Sequence, residues 1–250
     1  MLLLAIDTST SAITAALHDG IQVLAEASTV DSRAHGERLA PGIREVLTRA
    51  GASPRDLTDV VVGLGPGPFT GLRVGIVTGR TIAHVTGAAL HGVCSLDALA
   101  YAARDRLAVG AELVVATDAR RKEVYWARYA VVLGPGAAPG GVGDARIVHA
   151  RTVHARTEPA VVRPADLPAE VTALTAVGRG PWLYPQTMTQ PLCASQDAAA
   201  ADGLLDVSAA ALAALAVSRL TSGTLTARHE PLYLRRPDAV PHLSAKSALG

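Results

Sequence analysis

Short apolar runs broken by turn residues open the chain. Residues 2–6, 13–17 and 21–27 read as three strands, and Asp19-Gly20 between the last two supplies a tight hairpin turn, so an antiparallel start is predicted. Leu39, Ile43, Val46 and Leu47 recur at helical spacing and predict an amphipathic helix that Gly51 ends. Pro41 lies inside it and should bend it or leave one carbonyl unpaired. Residues 60–64 form a further strand that runs into Gly65-Pro66-Gly67-Pro68. A long helix over 71–85 follows, with Thr70 as its N-cap. Downstream come a strand (89–93), a helix (96–107), two strands (113–117 and 123–132), a strand (174–177) and an apolar helix (207–220). Residues 134–143 hold five Gly and two Pro and read as a flexible loop, while 156–168 read as irregular. The tail 231–238 is apolar enough to dock. This order implies mixed sheets with helices on their faces.

Composition narrows the function. The 250 residues are 49% apolar and 18% charged, which is a folded chain rather than a disordered one. The formal charge is +1, so no whole-molecule field holds a polyanion, and the few aromatics (2 Trp, 5 Tyr, 1 Phe) argue against a base-stacking platform. Cys94 and Cys193 are far apart, which fits reduced thiols in the cytoplasm rather than a zinc site or a disulfide framework. Residues 1–6 reach Asp7 without a basic leader and are not expected to be a signal peptide. The apolar helix near 207–218 is too short to span a bilayer, so no membrane association is expected.

Several segments invite chemistry. Asp7-Thr8-Ser9-Thr10-Ser11 follows the first strand, where a carboxylate and hydroxyls in a turn can meet a phosphate or its magnesium ion. The same residues can equally satisfy the backbone of the turn. Ser9 stands where a phosphate turn places glycine, and Gly178-Arg179-Gly180 is the nearest candidate for a second such turn. The segment from Gly65 to Gly71 precedes a helix but has no Walker ending, and its prolines carry no N–H to offer an anion. Gly71, Gly75, Gly79 and Ala83 repeat every four residues and line one helical face, so a close backbone approach is expected there. It comes either from the chain's own sheet or first helix, or from a partner's helix. No two of the 8 histidines fall at the i, i+4 spacing of a helical metal pair, and no Gly-x-Ser-x-Gly elbow occurs. Arg120-Arg121-Lys122 and Arg235-Arg236 are small basic clusters that suit a solvated face or a phosphate contact.

Taken together, residues 3–9, the Gly-Leu-Gly-Pro-Gly-Pro-Phe-Thr-Gly-Leu-Arg-Val-Gly segment at 63–75, residues 118–125 and Pro231-Leu232-Tyr233-Leu234-Arg235 resemble the bacterial TsaB family. The likeness covers most of the chain and is weak between about residues 134 and 172. It implies an α/β, two-lobed actin-like (ribonuclease H-like) ATPase fold with mixed sheets flanked by helices. The lobes would be residues 1–107, carrying the partner-binding helices, and 108–250, with the last helix and tail packing back. It also implies a role as non-catalytic partner of TsaD in making N6-threonylcarbamoyladenosine at position 37 of tRNAs reading ANN codons, with TsaE joining as an ATPase. The sibling TsaD holds a metal through a His-x-x-x-His pair, whereas the corresponding positions here are Ser95 and Leu99. No metal and no tightly bound cofactor are therefore expected, and ATP or ADP at the subunit junction stays open, with Asp7, Thr8 and Ser9 as candidate nucleotide-binding residues. The expected interface with TsaD, or with a second copy when TsaD is missing, comprises Leu39, Ile43, Leu47, Leu72, Gly75, Ile76, Gly79 and Ala83, the glycines setting helix separation. Two rival readings are an independent small-molecule kinase or ATPase of the same fold and a glycoprotease-type metallopeptidase, for which the sequence supplies neither metal nor nucleophile.

Overall fold

Strands buried on both faces read as unbroken apolar runs, and the first strand of this protein is one. The computed structural model describes residues 1–31, 35–134, 151–225 and 230–235. β1 (Leu3–Asp7), β2 (Ala12–His18) and β3 (Val23–Val30) form the expected antiparallel start, and β4 (Asp59–Gly63) and β5 (Ala89–Val93) extend it in parallel, in the order β3-β2-β1-β4-β5. At the β2–β3 turn Gly20 takes φ +95°, and the Asp19 carboxylate accepts hydrogen bonds from the amides of Gln22 and Ile21. Those two donors hold the Asp19 carboxyl below its usual range.

The alternation of β1 sends its side chains into two compartments. Leu4 and Ile6 meet α1 (His35–Arg49) and α2 (Phe69–Thr86), while Leu3 and Ala5 face α3 (Ser95–Ala103) and the C-terminal helix. Helix α1 runs unbroken through Pro41, which sits six residues from its start, and the exposed Glu37 there can surrender a carbonyl partner to water. Helix α2 begins two residues earlier than its glycines suggest. Its N-cap is Pro68 with no side-chain cap, not Thr70, and it stops at Gly87 in the left-handed region, φ +75°.

β6 (Glu112–Asp118), β7 (Val124–Leu133), β8 (Arg151–Ala155), β9 (Ala160–Val162) and, after the short α4 (Ala169–Thr172), β10 (Thr175–Val177) build a second sheet in the order β10-β6-β7-β8, with β9 also paired to β7. β8 has no counterpart among the expected elements. β9 lies where irregular chain is expected, because three apolar residues between prolines carry too little pattern to reveal a strand. The glycine- and proline-rich stretch 134–143 falls, after its first residue, outside the described residues. α5 (Gly180–Leu183) and α6 (Gln196–Ala201) lead to α7 (Ala209–Thr221), which packs across β1 and β2. α3 and α7 stand between the sheets, and their apolar residues join Leu3 of the first sheet and Leu113, Val115 and Tyr129 of the second in one core.

The start of α7 is tied to the first sheet by Glu26 of β3, whose Oε1 accepts from Ser208 Oγ at 2.8 Å and from the Ala210 amide at 3.1 Å. Glu26→Ala is expected to lower stability by about 1–2 kcal/mol, as loss of a charged helix-end acceptor does. Glu26→Gln should recover most of it, read as urea midpoints at constant m.

Candidate functional site

Asp7 ends β1 beside the ends of β4 and α3, and the structure closes over it. Its Oδ1 accepts from the Ser9 amide at 2.8 Å and Ser9 Oγ at 2.6 Å, and its Oδ2 accepts from Ser95 Oγ at 2.5 Å. Ser95 Oγ in turn accepts from the Gly65 amide at 3.0 Å, which fastens the loop after β4 to α3. The carboxyl occupies the space a side chain at Gly63 would need. Burial pushes the Asp7 carboxyl up, the hydrogen bonds from Ser9 and Ser95 draw it partly back, and Asp206 adds to the rise. Thr8 Oγ1 donates to the Gly71 carbonyl at 2.7 Å and accepts from the Gly75 amide at 3.1 Å.

Asp7, Thr8 and Ser9 are all buried, with their side-chain oxygens committed to partners inside the fold. The oxygens of Asp7 and Thr8 are engaged inside the fold, while Ser9 also borders the cleft at the strand ends. Of the two roles open to the turn, the one seen is the fastening of β1 to α2 and α3.

The glycine-lined face of α2 is resolved in the same way. A side chain at Gly75 would overlap Thr8 Oγ1, and one at Gly79 would overlap Val62 Cγ1 of β4. The close approach is therefore to this chain's own sheet. Leu39, Ile43, Leu47, Leu72, Ile76 and Ala83 are buried in the same compartment. Within the folded chain these eight residues are already buried, those of α1 against β2 and β3 and those of α2 against β1 and β4. Away from the glycines α2 exposes Val77 (58%), Thr81 and Val85 (77%), flanked by the half-buried Val74, Thr78 and Ile82, of which Val74 and Ile82 also touch the core; the six are spaced at 3 and 4 residues. Arg73, Arg80 and His84 are exposed on the same helix, so the glycines are the clearer pattern in the sequence.

At the ends of the strands, a cleft of about 330 Å³ separates Ser9, Thr10, Ser11 and the start of α2 from Thr117, Asp118, Arg120 and Arg179. Arg179 is held by Asp206 in a two-point pair at 2.8 and 2.6 Å. Gly178 and Gly180 press against Ala116, so the Gly178-Arg179-Gly180 turn is packed on β6. Ser95 and Leu99, the positions that would carry a metal pair, serve the Asp7 network and the core respectively. Among the described residues no group of three or more His, Cys, Asp or Glu side chains is placed to hold a metal ion. Cys94 is half-buried against the core, and desolvation shifts its thiol upward.

The tail docks as expected, and at a specific place. The Leu232 amide donates to the Leu64 carbonyl at 2.8 Å, the Tyr233 ring lies 5.0 Å from Phe69, and the Arg73 guanidinium sits 4.5 Å from the other aromatic centre, Phe69 itself. Arg235 donates to the Ala119 carbonyl at 2.7 Å and pairs with Glu123 at 3.1 Å. Residues 230–235 thus strap the Gly65–Phe69 loop to the β6–β7 turn. Arg236 lies outside the described residues.

Two mixed sheets flanked by helices, with an aspartate turn closing the first strand, define an α/β protein. The sequence profile of the tRNA N6-adenosine threonylcarbamoyltransferase family, TsaD, matches residues 22–240, and the chain belongs to that family. A Mycobacterium tuberculosis relative, described as an uncharacterized protein, is 50% identical over 129 residues, which is 50% of this chain and 58% of the relative. The Escherichia coli tRNA threonylcarbamoyladenosine biosynthesis protein TsaB is 36% identical over 129 residues, 52% of this chain and 55% of that protein. The solved structure of YeaZ from Pseudomonas aeruginosa matches with a TM-score of 0.71 at 28% identity, over 93% of this chain and 99% of that one. The chain spans about half the length of the curated relatives it matches. The resemblance to TsaB read from the sequence is thereby met, as is the α/β fold class. No helix among the described residues is long and apolar enough to cross a membrane.

Proposed function

We propose that this chain works in the formation of N6-threonylcarbamoyladenosine on tRNA as a non-catalytic partner of TsaD, in the cytoplasm. The observation that carries this reading is the closed Asp7 turn: the residues that would handle phosphate or magnesium are consumed in joining β1 to α2 and α3. Ser95 and Leu99 supply no imidazole where the sibling holds its metal. With that chemistry gone, a surface is what the fold has left to offer. The outward stripe of α2, from Val74 to Val85, is suited to receive a helix of TsaD, because apolar and small residues at 3- and 4-residue spacing interlock with a matching stripe. The same stripe pairs two copies of this chain when TsaD is absent. tRNA adenosine 37 is reached through the complex, with TsaE as the further ATPase subunit. A nucleotide at the subunit junction would face the cleft beside Ser9 rather than the buried Asp7 and Thr8.

The experiment is reconstitution with the cognate TsaD and TsaE, with each subunit omitted in turn and the modified adenosine quantified. Modification should require this chain and be absent when it acts without TsaD. Transfer by this chain alone would overturn the reading. Val77→Glu with Val85→Glu should weaken association with TsaD at least 100-fold by calorimetry, since two charges would then be buried without partners. The melting temperature should hardly change, because both positions face solvent in the free chain.

A further inference from the structure

The β6–β7 turn contains an arrangement that folding alone does not require. Arg120, Arg121 and Lys122 take φ values of +61°, +50° and +63°, three consecutive side-chain-bearing residues in the left-handed region. That region is sparsely populated by anything except glycine, and a run of three is uncommon. Glycine would satisfy the turn without strain, yet each position carries a long cationic side chain, and all three are exposed. The turn is also held firmly. The Arg120 amide donates to Asp118 Oδ1 at 2.7 Å, the Glu123 amide to the Arg120 carbonyl at 2.9 Å, and Arg235 of the strap donates to the Ala119 carbonyl at 2.7 Å.

The strap brings a fourth cation and an aromatic ring to the same place. Arg235 sits against the turn, and two residues before it Tyr233 rests on Phe69 while remaining 40% exposed. Four cations thus gather around two carboxylates, Asp118 and Glu123, in a chain whose whole formal charge is only +1. A rigid, locally positive turn beside a half-exposed aromatic ring is the combination that contacts RNA, with phosphates at the cations and a base on the ring. RNA engages the charges and the ring together, which favours it over an acidic protein surface that needs only the charges.

We infer that the β6–β7 turn and the 230–235 strap form a direct contact for the sugar-phosphate backbone of the tRNA, with Tyr233 as a stacking surface for an unpaired base. This inference rests on the proposed role in tRNA modification and adds to it that the non-catalytic chain touches the substrate. The strained turn presents Arg121 and Lys122 outward, and the strap fixes their position relative to Tyr233.

The test uses the full chain in complex with TsaD and measures affinity for unmodified tRNA across a salt series. Arg121→Gly with Lys122→Gly removes two charges and relieves the backbone together. The melting temperature should rise or stay level, while tRNA affinity near 0.1 M salt falls about tenfold and the slope of log K against log salt shrinks by about 1.5. Arg121→Gln with Lys122→Gln, which keeps the strain, should give the same loss. Tyr233→Leu should weaken binding about tenfold with the slope unchanged. Unaltered affinity and slope in the charge variants would overturn the inference. So would variants that lose TsaD while binding RNA as before, because the turn would then be a protein contact. Binding is read independently of turnover, so failure of the wild-type complex to modify tRNA counts against the proposed function and leaves the binding series to decide the RNA contact.

Discussion

Gly75→Leu is expected to destabilise this protein severely rather than to release a partner. Its first side-chain carbon would overlap Thr8 Oγ1, which already bonds the Gly71 carbonyl and the Gly75 amide, and Thr8 is itself buried. Neither side can yield: β1 is buried on both faces, and α2 is held by Leu72 and Ile76 in the same compartment. Overpacking a closed core costs about 1–3 kcal/mol, and displacing Thr8 strands buried polar groups at about 1–3 kcal/mol more. The sum is a large part of the roughly 5–15 kcal/mol that hold an ordinary domain together. Urea denaturation should therefore show a midpoint far below wild type, or no cooperative transition at all. Val77→Leu, two residues on but on the exposed side of α2, should leave it unchanged within about 0.5 kcal/mol. A folded Gly75→Leu protein of wild-type stability would show that the glycine face is not packed on the sheet.

Asp7 should show the second large effect, and its sign depends on which replacement is made. Asp7→Ala leaves the Ser9 amide, Ser9 Oγ and Ser95 Oγ without their acceptor in a closed space, and is expected to cost about 2–4 kcal/mol. Asp7→Asn keeps the shape and one acceptor oxygen. Burial raises the Asp7 carboxyl in the folded state above its unfolded value of about 3.9, so the folded chain holds this proton more tightly than the unfolded chain does. The stability this group contributes is complete below the unfolded value and is lost as pH rises through the folded one. Asparagine has no proton to lose. From pH 4 upward, wild type should lose ground against Asp7→Asn, measured as the difference in urea midpoints at each pH. A difference that moved the other way would mean that Ser9 and Ser95 outweigh desolvation.

Much of the architecture was legible because local pattern and buried environment agree. The apolar run of β1, the Asp19-Gly20 turn, the helical spacing of Leu39, Ile43, Val46 and Leu47 and the docked tail all stand where the pattern puts them. β9 was not legible, because Ala-Val-Val acquires strand character only by pairing with Val124, Tyr125 and Trp126 far away in sequence. The site was legible in its parts but not in its sense. Asp7, Thr8 and Ser9 stood out as a turn able to meet phosphate. That Ser95, 88 residues on, donates to the same carboxylate could not be read from spacing.

The sequence by itself determined that α2 has a face made of glycines and that some backbone or side chain must come close to it, since glycine in a helix interior needs an offsetting contact. Only the tertiary structure decided what comes close. Periodicity specifies which residues share a face but not the direction in which that face is turned, and the direction follows from β1 and β4 filling the glycine side with Thr8 and Val62. The valines of the opposite side are thereby left to solvent or a partner.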